Sequence, residues 1–148
     1  MRTIFATVLL AGAAICGTAN AQDCNQTIEG NDLIKYSLTE MRVSASCAQV
    51  KVTLKHTGML PAAAMGHNWV LTATADYMAV AQAGASAGAP NFLPSGDARV
   101  LAATSIVGGG EETSVTFDLS GLQAGGDYTF FCSFPGHYVL MNGKFIIE

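Results

Sequence analysis

Cys132, His137 and Met141 lie within ten residues of one another, in the run Cys132-Ser133-Phe134-Pro135-Gly136-His137-Tyr138-Val139-Leu140-Met141. A second imidazole, His67, stands in Met65-Gly66-His67-Asn68-Trp69. One thiolate, two imidazoles and one thioether make the donor set of a one-electron copper site, with His, His and Cys in a trigonal plane and Met as a weak axial contact. The soft sulfurs suit Cu(I), the imidazoles serve both oxidation states, and the distorted geometry allows a change of charge with little rearrangement. A lone Cys or Met of this kind is usually a core residue. The combination is what points to a metal.

The spacing dictates how these residues must be carried. A strand would point alternate side chains to opposite faces, so three ligands in ten residues demand a loop. Cys132 closes a strand, Pro135-Gly136 turns the chain back, and Met141 precedes a last strand beginning at Gly143. His67 must arrive from the start of another strand, bringing the two halves of a sandwich together.

The first 21 residues read as an export signal: Arg2, an apolar stretch from Ile4 to Ile15, and the small-x-small site Ala19-Asn20-Ala21. The stretch is too short to span a membrane, which takes ~20 residues. Cleavage after Ala21 leaves residues 22–148 as one domain. Lipid anchoring at Cys16 is the alternative, although Ala13-Ala14-Ile15-Cys16 is a poor lipidation context. Export leaves Cys24, Cys47 and Cys132 in an oxidising compartment. Cys24 and Cys47 are near in sequence and flank expected strands, so they are paired, and Cys132 is the thiol left over. Without Arg2, six Lys and Arg face eleven Asp and Glu. The scattered basic residues argue against a nucleic-acid partner.

Most of the remaining chain has a strand period. Ile34–Leu38, Val50–Lys55 and Ser114–Leu119 alternate apolar with polar residues, and Asn68–Thr72 is more continuously apolar. Asp127–Cys132 and Gly143–Ile147 complete the set. The expected fold class is all-β, a Greek-key sandwich or barrel. One Ala-rich stretch from about Asp76 to Ala87 lacks alternation and predicts a single short helical insertion, with Asp76 as its N-cap.

The ligand spacing Cys-x4-His-x3-Met, the segment Met65–Leu71, the Cys24 and Cys47 pair, Val115-Thr116-Phe117-Asp118 and Phe130-Phe131-Cys132 together resemble the azurins. These are a family of bacterial periplasmic cupredoxins, and the resemblance covers the whole mature chain. It implies a cupredoxin domain over 22–148 holding one type 1 copper and passing single electrons between redox partners. His67, His137 and Cys132 would be the strong ligands, Met141 the axial thioether, and the Gly66 carbonyl a fifth, weak contact. Asn68 would hold the ligand loop by hydrogen bonds and, with backbone donors near Phe134, tune the thiolate. Trp69 would be core. In the stretch Arg99–Thr104, Ala103 stands where some azurins carry a surface His, so no role attaches there.

Several residues have two readings. His56 is expected to be a buried histidine satisfied by backbone, the alternative being a protonation switch near neutral pH. Leu60, Pro61, Ala62, Met65, Phe134 and Pro135 are either core or an apolar docking rim around the edge of His137. Glu111 and Glu112 read as a solvated loop face. An oxidase or reductase would need a second, His-rich copper centre, for which only His56 remains, and a Cys/His hydrolase lacks an orienting third group. Copper delivery would call for exchangeable ligands, and zinc in the same site would be redox-silent. The expected protein is a periplasmic carrier, monomeric or weakly dimeric and without membrane insertion. Its partners would be c-type cytochromes, reductases or dehydrogenases.

Overall fold

Alternation builds the longest strand directly. In β4 (Gln49–His56), Val50, Val52, Leu54 and His56 are buried while Lys51 and Lys55 face solvent. The computed structural model describes residues 24–148. The expected signal peptide, its cleavage after Ala21 and Cys16 lie outside the described residues. In order, the other strands are β1 (Asn25–Asn31), β2 (Lys35–Tyr36), β3 (Glu40–Val43), β5 (Val70–Ala73), β6 (Ala102–Ala103), β7 (Glu112–Asp118), β8 (Tyr128–Phe131) and β9 (Asn142–Ile147).

They form two sheets, ordered β2-β1-β4-β7 and β3-β9-β8-β5-β6. Pairings are antiparallel except β1 with β4 and β3 with β9, which are parallel. Successive strands pass repeatedly from one sheet to the other, giving the cupredoxin-like sandwich. Between the sheets lie Ile28, Met41, Val50, Val52, Leu54, Leu71, Phe130, Phe145 and Ile147 around a fully buried Trp69. The Trp69 ring meets Phe117, Phe130 and Phe145 at centroid distances of 6.0, 6.1 and 5.9 Å. Cys24 and Cys47 are joined as a disulfide, with Cα atoms 5.7 Å apart. Closing a loop of separation 23 stabilises the fold by about 3 kcal/mol in the chain-entropy picture.

The helical insertion is α2 (Tyr77–Ala87), with Asp76 at its N-cap position but making no side-chain cap bond. Val80 and Ala81 pack it onto Val70 and Phe131 in a second apolar cluster. It is not the only helical segment: a single turn, α1 (Ala62–Met65), precedes His67, and a 3-10 turn spans His137–Val139. One expected strand is shorter than its alternation suggested. Ile34–Leu38 contracts to β2 because Ile34 turns the chain at φ 55°, and within the stretch Arg99–Thr104 only Ala102–Ala103 forms a strand, β6.

Candidate metal centre

The ligand loop begins where the β8–β9 pairing ends. The Cys132 N–H donates to the Met141 carbonyl at 3.0 Å, closing the neck of a loop that holds His137 at its far side. Inside it, Pro135-Gly136 forms a type II turn: the His137 N–H donates to the Phe134 carbonyl at 2.9 Å, with Gly136 at φ 81°. The N–H groups of Leu140 and Met141 both donate to the His137 carbonyl, so the chain curls over that residue. His67 comes from the other side. A two-way backbone bridge to Val107 fixes it, just after α1 and just before β5.

These segments bring His67, Cys132 and His137 together, with one donor atom from each lying within 4.8 Å of the others. Cys132 Sγ is 3.8 Å from His67 Nδ1 and 3.7 Å from His137 Nδ1. A first-row metal sits about 2.05 Å from imidazole nitrogen and about 2.3 Å from thiolate, which puts N and S about 3.8 Å apart at 120° and about 3.6 Å at the tetrahedral angle. The observed distances lie in the range expected for one metal ion shared by the thiolate and both imidazoles.

Protonation of the ring nitrogens agrees with that use. His67 Nε2 lies 2.9 Å from the Asn31 carbonyl, which only accepts, so Nε2 carries the proton and Nδ1 presents its lone pair to the centre. Burial, aided by the neighbouring imidazoles, holds His137 down to about 4 and lowers His67, keeping both rings neutral. Burial pushes the Cys132 thiol up to about 12, only partly offset by the backbone N–H groups of Asn68 and Phe134 directed at the sulfur. A cation supplied to this pocket is what would make a thiolate favourable there. The donor set and its geometry fit copper.

The remaining expected site residues surround this core. The Gly66 carbonyl is 3.8 Å from Cys132 Sγ. Met141 is fully buried, its Cε beside the His67 ring above Gly30. Asn68 braces the ligand loop: its Nδ2 donates to Ser133 Oγ and its Oδ1 accepts the Ser133 N–H, both at 2.8 Å. Tyr36 donates its hydroxyl proton to the Asn68 carbonyl. The Phe134 ring lies 4.6 Å from that of His137, centroid to centroid. His56 stacks on His67 at 4.3 Å and 14°. Its Nε2–H donates to the Met65 carbonyl and its Nδ1 accepts the Gly58 N–H, so backbone satisfies both nitrogens.

Of the residues expected to be core or rim, Leu60, Pro61 and Pro135 are exposed, and Ala62, Met65 and Phe134 half-buried. His137 keeps 4% exposure, whereas His67, Cys132 and Met141 have none, so solvent meets the centre at the His137 edge.

Sequence reasoning missed several contributors. Asn31 acts through its carbonyl and Ser133 through a loop contact, neither of which has a side-chain signature. Gly30 is required by close approach, since a Cβ there would stand 2.8 Å from His67 Cδ2. Met59, Val139 and Leu140 are exposed on the ligand-bearing connections, and Leu33 on the β1–β2 turn that follows Asn31. Their apolar character in loops was the one available signal.

Over residues 22–148 the chain matches the model for copper-binding proteins of the plastocyanin/azurin family. It is 54% identical over 132 residues to an azurin of Bordetella pertussis, covering 88% of each chain. An azurin of Alcaligenes faecalis is 50% identical over 121 residues, which are 81% of this chain and 94% of that one. Among solved structures, an azurin of the obligate methylotroph Methylomonas sp. strain J superposes with a TM-score of 0.81 at 48% identity. That match covers 84% of this chain and 98% of the other.

Proposed function

We infer that this chain, which belongs to the plastocyanin/azurin family of copper-binding proteins, carries electrons through the centre built from His67, Cys132 and His137. It is a copper electron-transfer protein and not an enzyme. The observation that carries this reading is the convergence of two Nδ1 atoms and one Sγ at metal-ligand spacing in a buried pocket.

In the proposed assignment, His67 and His137 bind through Nδ1 and Cys132 through Sγ. Met141 gives a weak axial thioether and the Gly66 carbonyl a weak contact. Copper bound there supplies one-electron chemistry between Cu(I) and Cu(II). The chain's own residues keep the site rigid: Asn31 locks the His67 ring, and Asn68 with Ser133 fixes the Cys132 segment. Electrons enter and leave at the His137 edge, where Leu60, Met65, Phe134 and Pro135 form the docking rim, joined by Leu33, Met59, Val139 and Leu140. Such a rim suits brief contacts of small area.

The partners would be c-type cytochromes, reductases or dehydrogenases of the periplasm, reached after removal of residues 1–21. The disulfide supports an oxidising compartment. No helix among the described residues is long and apolar enough to cross a membrane. A redox titration of the copper-loaded protein tests the carrier role: one reversible electron per chain is expected. Irreversible reduction with loss of metal would favour copper delivery instead.

A further inference from the structure

The insertion formed by α2 and the loop behind it brings no atom to the metal, yet that loop reaches the ligand-bearing segments at two points. One is polar. The Asn91 carbonyl accepts the Ser133 hydroxyl at 2.7 Å and lies 3.5 Å from Asn68 Nδ2. The other is aromatic. The Phe92 ring packs edge-on against Phe134, with centroids 5.3 Å apart at 68°, and Phe134 in turn lies against His137. Of the three residues touched, Ser133 follows Cys132 directly, and Asn68 and Phe134 are the two whose backbone N–H groups act on the Cys132 thiol, lowering it against the effect of burial.

The loop is also held from behind, by its own backbone and by α2. The Phe92 N–H donates to the Gly88 carbonyl at 2.9 Å. The Phe92 carbonyl presses on α2 at Gly84, where a Cβ would stand only 2.0 Å away. Ser133 is 1% exposed, so moving Asn91 away leaves a buried hydroxyl without its acceptor. Phe92 and Phe134 also share the wall of an open groove of about 580 Å³, and removing the Phe92 ring would admit water to the Phe134 side.

We propose that Asn91 and Phe92 are positioning residues for the copper thiolate, holding Asn68 and Phe134 so that both N–H groups stay aimed at Cys132 Sγ. The inference rests on the ligand assignment above. Hydrogen bonds to the sulfur favour the electron-rich reduced site, so slackening them lowers the redox potential.

The test compares copper-loaded wild type with Phe92→Ala, Phe92→Tyr and Leu122→Ala, the last a comparator packed beside the disulfide. Phe92→Ala is expected to shift the Cu(I):Cu(II) ratio at fixed potential about fivefold toward Cu(II), a midpoint about 40 mV lower at 59 mV per decade. Phe92→Tyr, which keeps the ring, and Leu122→Ala should stay within about twofold. In copper-free protein, exchange of the Ser133 amide should be at least about tenfold faster in Phe92→Ala than in Leu122→Ala. A Cu(I):Cu(II) ratio in Phe92→Ala within about twofold of wild type, with unchanged Ser133 exchange, would overturn the proposal. If Phe92→Ala does not fold, Phe92→Leu decides on the same readouts. A wild type without a thiolate–copper absorption band would instead remove the ligand assignment, and the inference with it.

Discussion

Gly30→Ala presses on the metal centre from behind, through a residue that binds nothing. An added Cβ would stand 2.8 Å from His67 Cδ2, 3.3 Å from its Cγ and 3.3 Å from Met141 Cε. Ordinary carbon contacts begin near 3.4 Å, so the ring must retreat by about 0.6 Å or β1 must shift by that much. Neither movement is free. The ring is stacked on His56 at 4.3 Å and pinned through Nε2 to Asn31, the residue after Gly30 itself. The displacement therefore passes to Nδ1 and spoils its 3.8 Å relation to Cys132 Sγ. Shifts of about 0.5 Å exceed what a preorganised site tolerates, and faults of this kind cost roughly 10–100-fold in metal affinity, about 1.4–2.7 kcal/mol. Competition with a chelator of known strength, alongside the visible spectrum, measures the loss. Affinity within twofold of wild type and an unmoved absorption band would refute the claim that Gly30 is fixed by the His67 ring.

Zinc, as a redox-silent probe of the copper-free protein, must displace the Cys132 proton because that thiol is held at about 12. Its affinity should therefore fall about tenfold for each pH unit from 8 to 6. His137, depressed to about 4, is already neutral there and adds no further slope. Calorimetric titration across that range checks it, and a slope approaching three decades per unit near pH 6 would mean that both imidazoles must also shed protons. Replacing Cys24 and Cys47 together with Ser should cost about 3 kcal/mol. That corresponds to a drop in Tm on the order of 10 °C, while the visible spectrum is preserved because the disulfide sits at the opposite end of β4 from His56. Met65→Lys puts a charge on the apolar rim and should slow electron exchange with a c-type cytochrome several-fold without altering the spectrum. Unchanged stopped-flow rates would place the docking surface elsewhere.

The metal centre was legible because thiolate, imidazole and thioether are chemically rare in one loop, and because Pro135-Gly136 encodes the turn that folds His137 back. Strands β4, β7 and β9 were legible because one face of each is apolar. β1 was not, since Asn25-Gln26-Thr27-Ile28-Glu29-Gly30-Asn31 has little strand propensity. It is a strand because β2 and β4 pair with it on either side, a tertiary effect that local propensity does not carry. The same holds for the parts of the site that work through backbone atoms. The carbonyls of Asn31 and Asn91 depend on where the chain passes, not on which side chain it bears.

Visible absorption and electron paramagnetic resonance of the Cu(II)-loaded protein, with Cys132→Ser alongside, decide whether Cys132 is the copper thiolate. An intense blue band and narrow copper hyperfine splitting are expected, both bleached on one-electron reduction and absent in Cys132→Ser. A pale spectrum with ordinary hyperfine splitting, the same in both proteins, would show that Cys132 is not a ligand and that the site is not a thiolate–copper electron carrier.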